Sequence, residues 1–250
     1  MIKTYQEELI LKSCNCDFTG HWRPSDILVT MQEIAGIHAE LLGVGRYALI
    51  EKNAVWVLTR TQLQMDKYPG VGDRVIIETF PMNNRRVFFP RYFIFKDDHG
   101  HILGTAATLW VLLDITTRHM LPPDLIKGLM PDNSDLPAPM GLPGIVEDVD
   151  GGEMVLERMP AYTDLDVNQH VNNTKYADWL CDMLGIDLMR EKCLHTLIVN
   201  YANEILPGQQ MKLHLKRHEN AYILTGYHND QRHFEMGGLL MDRPKETKVY

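Results

Sequence analysis

The sequence predicts an α+β fold in which two similar halves pair into one continuous antiparallel sheet, with two long helices packed on it. Three observations carry this expectation. Each half reads as one helix with apolar residues every three or four positions, followed by four strand-like segments. A proline-rich stretch separates the halves. Short motifs also recur at long spacing: Asp66-Lys67-Tyr68-Pro69-Gly70 lines up with Glu204-Ile205-Leu206-Pro207-Gly208, 138 residues on. A period that long marks two related domains rather than a solenoid.

The first half opens with an alternating segment around Glu8-Leu9-Ile10-Leu11. A helix follows, with Ile27, Leu28, Met31, Ile34, Ala35, His38, Leu41 and Leu42 on one face and Gly43 as its stop. Strands are expected over Ala54 to Met65, Arg74 to Phe80, Arg91 to Lys96 and Ile102 to Leu113. Turns at Tyr68-Pro69-Gly70, Met82-Asn83-Asn84 and Asp97-Asp98-His99-Gly100 separate them. From Ile115 to Gly152 the pattern breaks: six prolines among scattered glycines read as an extended interdomain connection. Domains are therefore expected at 1–128 and 152–250, with a linker over 129–151.

The second half repeats the plan. A strand over Glu153 to Tyr162 leads through a loop to a helix with Tyr176, Leu180 and Leu184 on one face, ended by Gly185. Strands then run over His195 to Asn203, Met211 to Arg217, Tyr222 to Tyr227 and His233 to Met241.

Composition excludes several classes. The 250 residues are 45% hydrophobic and 23% charged, ordinary values for a globular chain long enough for one or two real cores. Absence of an apolar run of about 18 residues argues against a membrane-spanning helix. The start, Met1 to Glu8, lacks the pattern of a secretory signal, so a cytoplasmic location is expected. A net charge of -8 argues against nucleic-acid binding, which needs a basic surface. Cys14 and Cys16 have the wrong spacing for a zinc knuckle and, with Cys181 and Cys193, read as reduced thiols. No metal and no cofactor is implied.

The chemistry concentrates in Asp164-Leu165-Asp166-Val167-Asn168-Gln169-His170-Val171-Asn172-Asn173, just before the second helix. Unpaired N–H groups at a helix N-terminus stabilise negative charge, and a thioester carbonyl placed there would gain an oxyanion site as water adds. Asp166, Asn168 and His170 alternate, so an extended loop projects them to one side. Glu204, after the next strand, could reach the same pocket as a general base. Asp and Asn also favour helix N-caps for structural reasons alone. Aligning the halves on Gly43 and Gly185 puts Pro24, Asp26 and Leu28 opposite Asp166, Asn168 and His170, so the fold itself does not require the triplet.

The ten-residue stretch, followed by Lys175-Tyr176, resembles the signature of the acyl-acyl-carrier-protein thioesterases of plant plastids and bacteria. Trp56-Val57-Leu58-Thr59-Arg60, Asp66-Lys67-Tyr68-Pro69 with Gly72-Asp73, and Trp110-Val111-Leu112 with Thr117-Arg118 resemble that family's N-terminal domain in order and spacing. The resemblance implies a tandem, or double, hot-dog fold. It also implies hydrolysis of acyl thioesters carried by acyl carrier protein, with Asp166, Asn168, His170 and Glu204 as the site. Plant members carry a transit peptide, which this sequence lacks. They also place a cysteine directly after the glutamate, where Ile205 stands here, so water activated by a carboxylate replaces a cysteine nucleophile.

Arg85, Arg86 and Arg91 cluster on a strand edge, a candidate docking patch for the acidic carrier, with Lys212, Lys216 and Arg217 as second choice. Met31 and Ile34 are candidates for lining the acyl tunnel and setting chain length. Competing readings are an acyl-CoA thioesterase, a hot-dog dehydratase and a non-catalytic acyl-lipid sensor. A sensor has no need of the polar constellation, and this chain keeps all four residues. The sequence leaves monomer and homodimer open.

Overall fold

The computed structural model describes residues 2–244. In chain order the elements are β1 (Tyr5–Ile10), α1 (Pro24–Leu41), α2 (Arg46–Ile50), β2 (Ala54–Met65), β3 (Arg74–Pro81), β4 (Phe89–Lys96) and β5 (Ile102–Asp114). The second half contributes β6 (Gly152–Arg158), α3 (Lys175–Leu184), α4 (Ile186–Glu191), β7 (Lys192–Leu194), β8 (Thr196–Tyr201), β9 (Met211–His218), β10 (Ala221–His228) and β11 (Gln231–Asp242).

All strand pairs are antiparallel, in the order β1-β3-β4-β5-β2-β8-β11-β10-β9-β6, with short β7 also on β11. Read outward from the centre, the two halves repeat one order, and β2 and β8 form the seam between them, from Arg60↔Asn200 to Gln64↔Thr196. Each half alone would expose a bare sheet edge there. Pairing the two satisfies both rows of backbone groups, the usual way to remove such an edge.

One face of the sheet carries both helices. Ile27, Leu28, Met31, Ile34 and Ala35 of α1 and Tyr176, Ala177, Trp179, Leu180 and Met183 of α3 share a core with Leu63, Phe93, Leu197, Val199, Phe234 and Met236. The helices lie side by side, joined by Ser25 Oγ donating to Asp178 Oδ1 and Gln32 Nε2 donating to Asn173 Oδ1 (2.5 and 2.6 Å). The two helices differ in length, with 18 residues in α1 and 10 in α3. Gly185, at φ +86°, breaks the second run before the short α4, a backbone angle that favours glycine because a Cβ would crowd the following carbonyl.

The proline-rich connection is extended but not a free linker. It packs across the opposite face of the first half. Leu136, Met140 and Leu142 cover Phe80, Tyr92 and Ala107 there, whereas Ile126 is buried on the helix side beside Ala39, Leu42, Leu112 and Phe89. Asn133, fully buried, donates from Nδ2 to the carbonyls of Lys3 and Pro81 (2.9 and 2.7 Å).

Candidate active site

The loop over 165–171 closes on itself through an antiparallel bridge between Leu165 and Val171. Asp166 organises it. Its backbone N–H donates to the His170 carbonyl (2.9 Å), and its Oδ1 accepts from the backbone N–H groups of Asn168 (2.8 Å) and His170 (3.4 Å). Asn168 Nδ2 donates to Asp166 Oδ2 at 3.3 Å. Gln169 takes φ +63° at the apex. An Asx side chain bonded to backbone two residues on is the usual way to fix such a turn. Asp166 is therefore a positioning residue, turned back into its own loop, while Asn168 and His170 are presented outward.

Glu204 lies just beyond β8 and is fixed from three directions. The Val171 N–H donates to the Ile205 carbonyl (2.8 Å), tying the loop beside the strand end. His233 Nδ1–H donates to the Glu204 carbonyl (2.8 Å), and burial lowers the pKa of that imidazole. Arg118, from the turn after β5, donates to Glu204 Oε1 at 2.6 Å. The other carboxylate oxygen, Oε2, stands 3.5 Å from His170 Nε2.

These groups meet at the mouth of a cavity of about 560 Å³ that runs into the first half, a volume typical of small-ligand sites. Asn168, His170, Glu204 and Arg118 line it at one end. Gln32, Ala35, Gly36 and Ala39 of α1 form one wall, and Val55, Trp56, Val57, Trp110, Phe89 and Arg91 of the sheet form another. The small side chains of Ala35, Gly36 and Ala39 leave the volume between helix and sheet unfilled. The corresponding space in the second half is filled: Tyr176 stacks on Phe234 at 4.1 Å, with Trp179 beside them.

Several sequence expectations need correction. The N-terminus of α3 offers no free oxyanion site: Thr174 N and Oγ1 donate to Asn172 Oδ1, and Lys175 N donates to the Asn172 carbonyl. The donors that face the cavity are side chains. Met31 and Ile34, each 2% exposed, are core residues; their neighbours on α1 line the cavity instead. Arg85 and Arg86 are exposed in the β3–β4 loop, but Arg91 is 7% exposed and points inward, so it is no part of a surface patch.

The alignment of the halves also changes. The first-half equivalent of the 165–171 loop is not Pro24, Asp26 and Leu28 but Asp17, Thr19 and His21, closed by a Cys16–Trp22 bridge. Asp17 N donates to the His21 carbonyl (2.8 Å), Thr19 N to Asp17 Oδ1 (2.8 Å), and Gly20 takes φ +82° at the apex. Trp22 N donates to the Pro69 carbonyl as Val171 N does to Ile205. On that register Tyr68 stands where Glu204 stands, with its hydroxyl buried on the Leu194 carbonyl (2.8 Å). Asp17 is held by Arg243 (2.9 Å). The first half keeps the loop and lacks the carboxylate.

Sequence reasoning missed Arg118 as a site residue. Its signal was Thr117-Arg118 in the family-like motif, and its φ of +61° in the turn built on Asp114 aims it across the seam. The four cysteines do not line the cavity. Burial pushes the Cys181 thiol up to about 12 and raises that of Cys193.

Comparison with known proteins agrees with this geometry. Residues 2–129 match the family model of the acyl-ACP thioesterase N-terminal domain, and residues 151–238 match that of the C-terminal domain. A palmitoyl-acyl carrier protein thioesterase of Arabidopsis thaliana is 31% identical over 194 residues, covering 70% of this chain and 45% of that protein. A dodecanoyl-[acyl-carrier-protein] hydrolase of Cinnamomum camphora is 27% identical over 209 residues, covering 74% of this chain and 53% of its own length. The chain thus spans about half the length of the curated relatives it matches. Among solved structures, an acyl-ACP thioesterase from Bacteroides thetaiotaomicron superposes with a TM-score of 0.85 at 21% identity, over 95% of this chain and 98% of that one. The 12:0-ACP thioesterase from Umbellularia californica gives 0.82 at 20% identity, over 96% and 98%. These two share the fold, in which two hot-dog halves form one sheet. With both family models matched in order along the chain, it belongs to the acyl-ACP thioesterase family.

Proposed function

We propose that the chain is a thioester hydrolase that releases free fatty acid from acyl-acyl carrier protein. The observation that carries this reading is the junction of two halves: an apolar cavity in the first opens onto Asn168, His170 and Glu204 of the second. In this proposal the domain over 1–128 forms the acyl tunnel, residues 129–151 connect, and the domain over 152–250 supplies the chemistry.

The acyl chain lies in the cavity with its thioester carbonyl at the mouth. Glu204 takes a proton from water as the water oxygen bonds to the carbonyl carbon. Negative charge develops on the carbonyl oxygen, where Asn168 Nδ2–H and His170 Nε2–H donate. The intermediate then collapses: the C–S bond breaks, the sulfur of the carrier's arm takes the proton from Glu204, and the free acid leaves. Arg118 holds Oε1 and leaves Oε2 turned toward His170 and the reaction. The thiols play no part, since raised pKa values keep Cys181 and Cys193 protonated near neutral pH.

Hydrolysis of one chain-length series, presented both on acyl carrier protein and on CoA, tests the proposal. Faster turnover on the carrier is expected, with a maximum at a chain length the cavity can hold. A consistent preference for CoA would contradict the carrier, and failure to hydrolyse either series would contradict the reaction.

A further inference from the structure

The cavity crosses the sheet in a definite order. Beginning at Glu204, beyond β8, its floor passes through Val55, Trp56 and Val57 on β2, Trp110 on β5 and Phe89 and Arg91 on β4. In register Phe89 pairs with Trp110 and Trp110 with Leu58, while Arg91, two residues further along β4, pairs with Thr108 on β5. From β8 to β4 is three strand spacings, roughly 14 Å at about 4.8 Å each. Arg91 thus sits deep in the cavity, on the side away from the site.

Its surroundings are unusual for a guanidinium. Arg91 is 7% exposed, yet among the described residues it has no carboxylate partner. Nη1 donates to His38 Nδ1 (3.1 Å) and to Thr79 Oγ1 (3.2 Å). His38 in turn donates from Nε2 to the Ile2 carbonyl (3.2 Å), which fixes a neutral tautomer that accepts at Nδ1. Its pKa, lowered to about 4 by burial and by Arg91, keeps it neutral. Both partners are therefore uncharged, and among the described residues Nε and Nη2 have no hydrogen-bond partner. Buried charges are ordinarily paired, because an uncompensated one is costly. Here the unused donors belong to a residue that lines the cavity.

We infer that Arg91 forms a polar subsite at the deep end of the cavity, which receives an oxygen-bearing far end of the acyl chain, a terminal carboxylate above all. A carboxylate matches the guanidinium in charge and in planar, two-pronged geometry. A plain alkyl end at the same depth strips water from the free N–H groups and replaces it with nothing, so such chains are accepted only while they stop short of Arg91. The inference concerns which acyl chains enter and rests on the thioesterase reading for its metabolic meaning, but the subsite can be tested without turnover.

The test is direct binding of free acids by calorimetry, comparing α,ω-dicarboxylic acids with monocarboxylic acids of equal length, on the wild type and on Arg91→Met and Arg91→Lys. At the length that reaches β4 the diacid should bind the wild type at least ~10-fold more tightly. Arg91→Met should erase that advantage, and Arg91→Lys should keep part of it. Equal affinity of the two acids for the wild type at every length overturns the inference, even if Arg91→Met does not fold. So does an advantage that survives in folded Arg91→Met, which would place the second carboxylate on another residue. Because no hydrolysis is read, failure of the thioesterase reading leaves this outcome separately visible.

Discussion

Replacing Asp166 by alanine removes the acceptor on which the 165–171 loop is built. Two bonds dominate the loss: Asn168 N to Oδ1 at 2.8 Å and Asn168 Nδ2 to Oδ2 at 3.3 Å. Hydrogen bonds to a charged acceptor contribute about 1.5–3 kcal/mol each, and the lower end is the upper limit for these exposed bonds. Together they hold the presented conformation by at most about 3 kcal/mol, on the order of 100-fold at about 1.4 kcal/mol per tenfold. Asp166→Ala should therefore lower kcat/KM on an acyl-carrier substrate by that order, with the thermal unfolding midpoint little changed. Asp166→Asn keeps Oδ1 as acceptor for the Asn168 N–H but not Oδ2, so it should recover about half of that free energy and leave a loss of roughly tenfold. Steady-state kinetics on the three purified proteins decides it. Near-wild-type activity in Asp166→Ala would refute the positioning role. Equal damage in Asp166→Asn and Asp166→Ala would show that the charge, not the turn, is what matters.

Three further outcomes follow from the structure. Thiol alkylation near neutral pH should label exposed Cys14 and leave turnover intact, because burial keeps Cys181 and Cys193 protonated; loss of activity in step with one label would contradict a water mechanism. His38 has a folded pKa of about 4, below its ordinary 6.5, so the unfolded chain binds its proton more readily and stability is lost as pH falls between those values. Worked at 1.36 kcal/mol per unit, the loss approaches about 3 kcal/mol; His38→Gln should flatten that part of a denaturant-unfolding profile between pH 7 and 4, and an unchanged slope would contradict it. Arg85→Glu with Arg86→Glu should raise KM for acyl carrier protein severalfold, more at low salt than at high, and spare a short synthetic thioester; equal effects on both substrates would remove the loop from carrier docking.

Much of the fold was legible because strands and turns leave local marks. β2 begins and ends at the expected Ala54 and Met65, and Gly185 ends α3 as its position suggested. The site loop was legible as a string of residue types, since Asp, Asn and His at alternate positions carry their chemistry in any register. What sequence reasoning got wrong came from assuming helices of equal length. The halves align 142 residues apart at Gly43 and Gly185 but 149 apart at His21 and His170, because the second helix is about two turns shorter. Anchoring on the glycines hid the pair Asp17-x-Thr19-x-His21 and Asp166-x-Asn168-x-His170, although both were in plain view. The contacts of Arg118 and Arg91 were out of reach for another reason. Arg118 meets Glu204 across 86 positions and Arg91 meets His38 across 53, and neither contact leaves a trace in local pattern.

The most direct test of the account is the kcat of Glu204→Gln on an acyl-acyl carrier protein substrate. The substitution keeps size and the hydrogen bond from Arg118 but abolishes the base. The account predicts a fall of at least ~100-fold in kcat, with KM and the unfolding midpoint close to those of the wild type. A folded Glu204→Gln protein that turns over at near-wild-type rate would contradict carboxylate-activated water at this site.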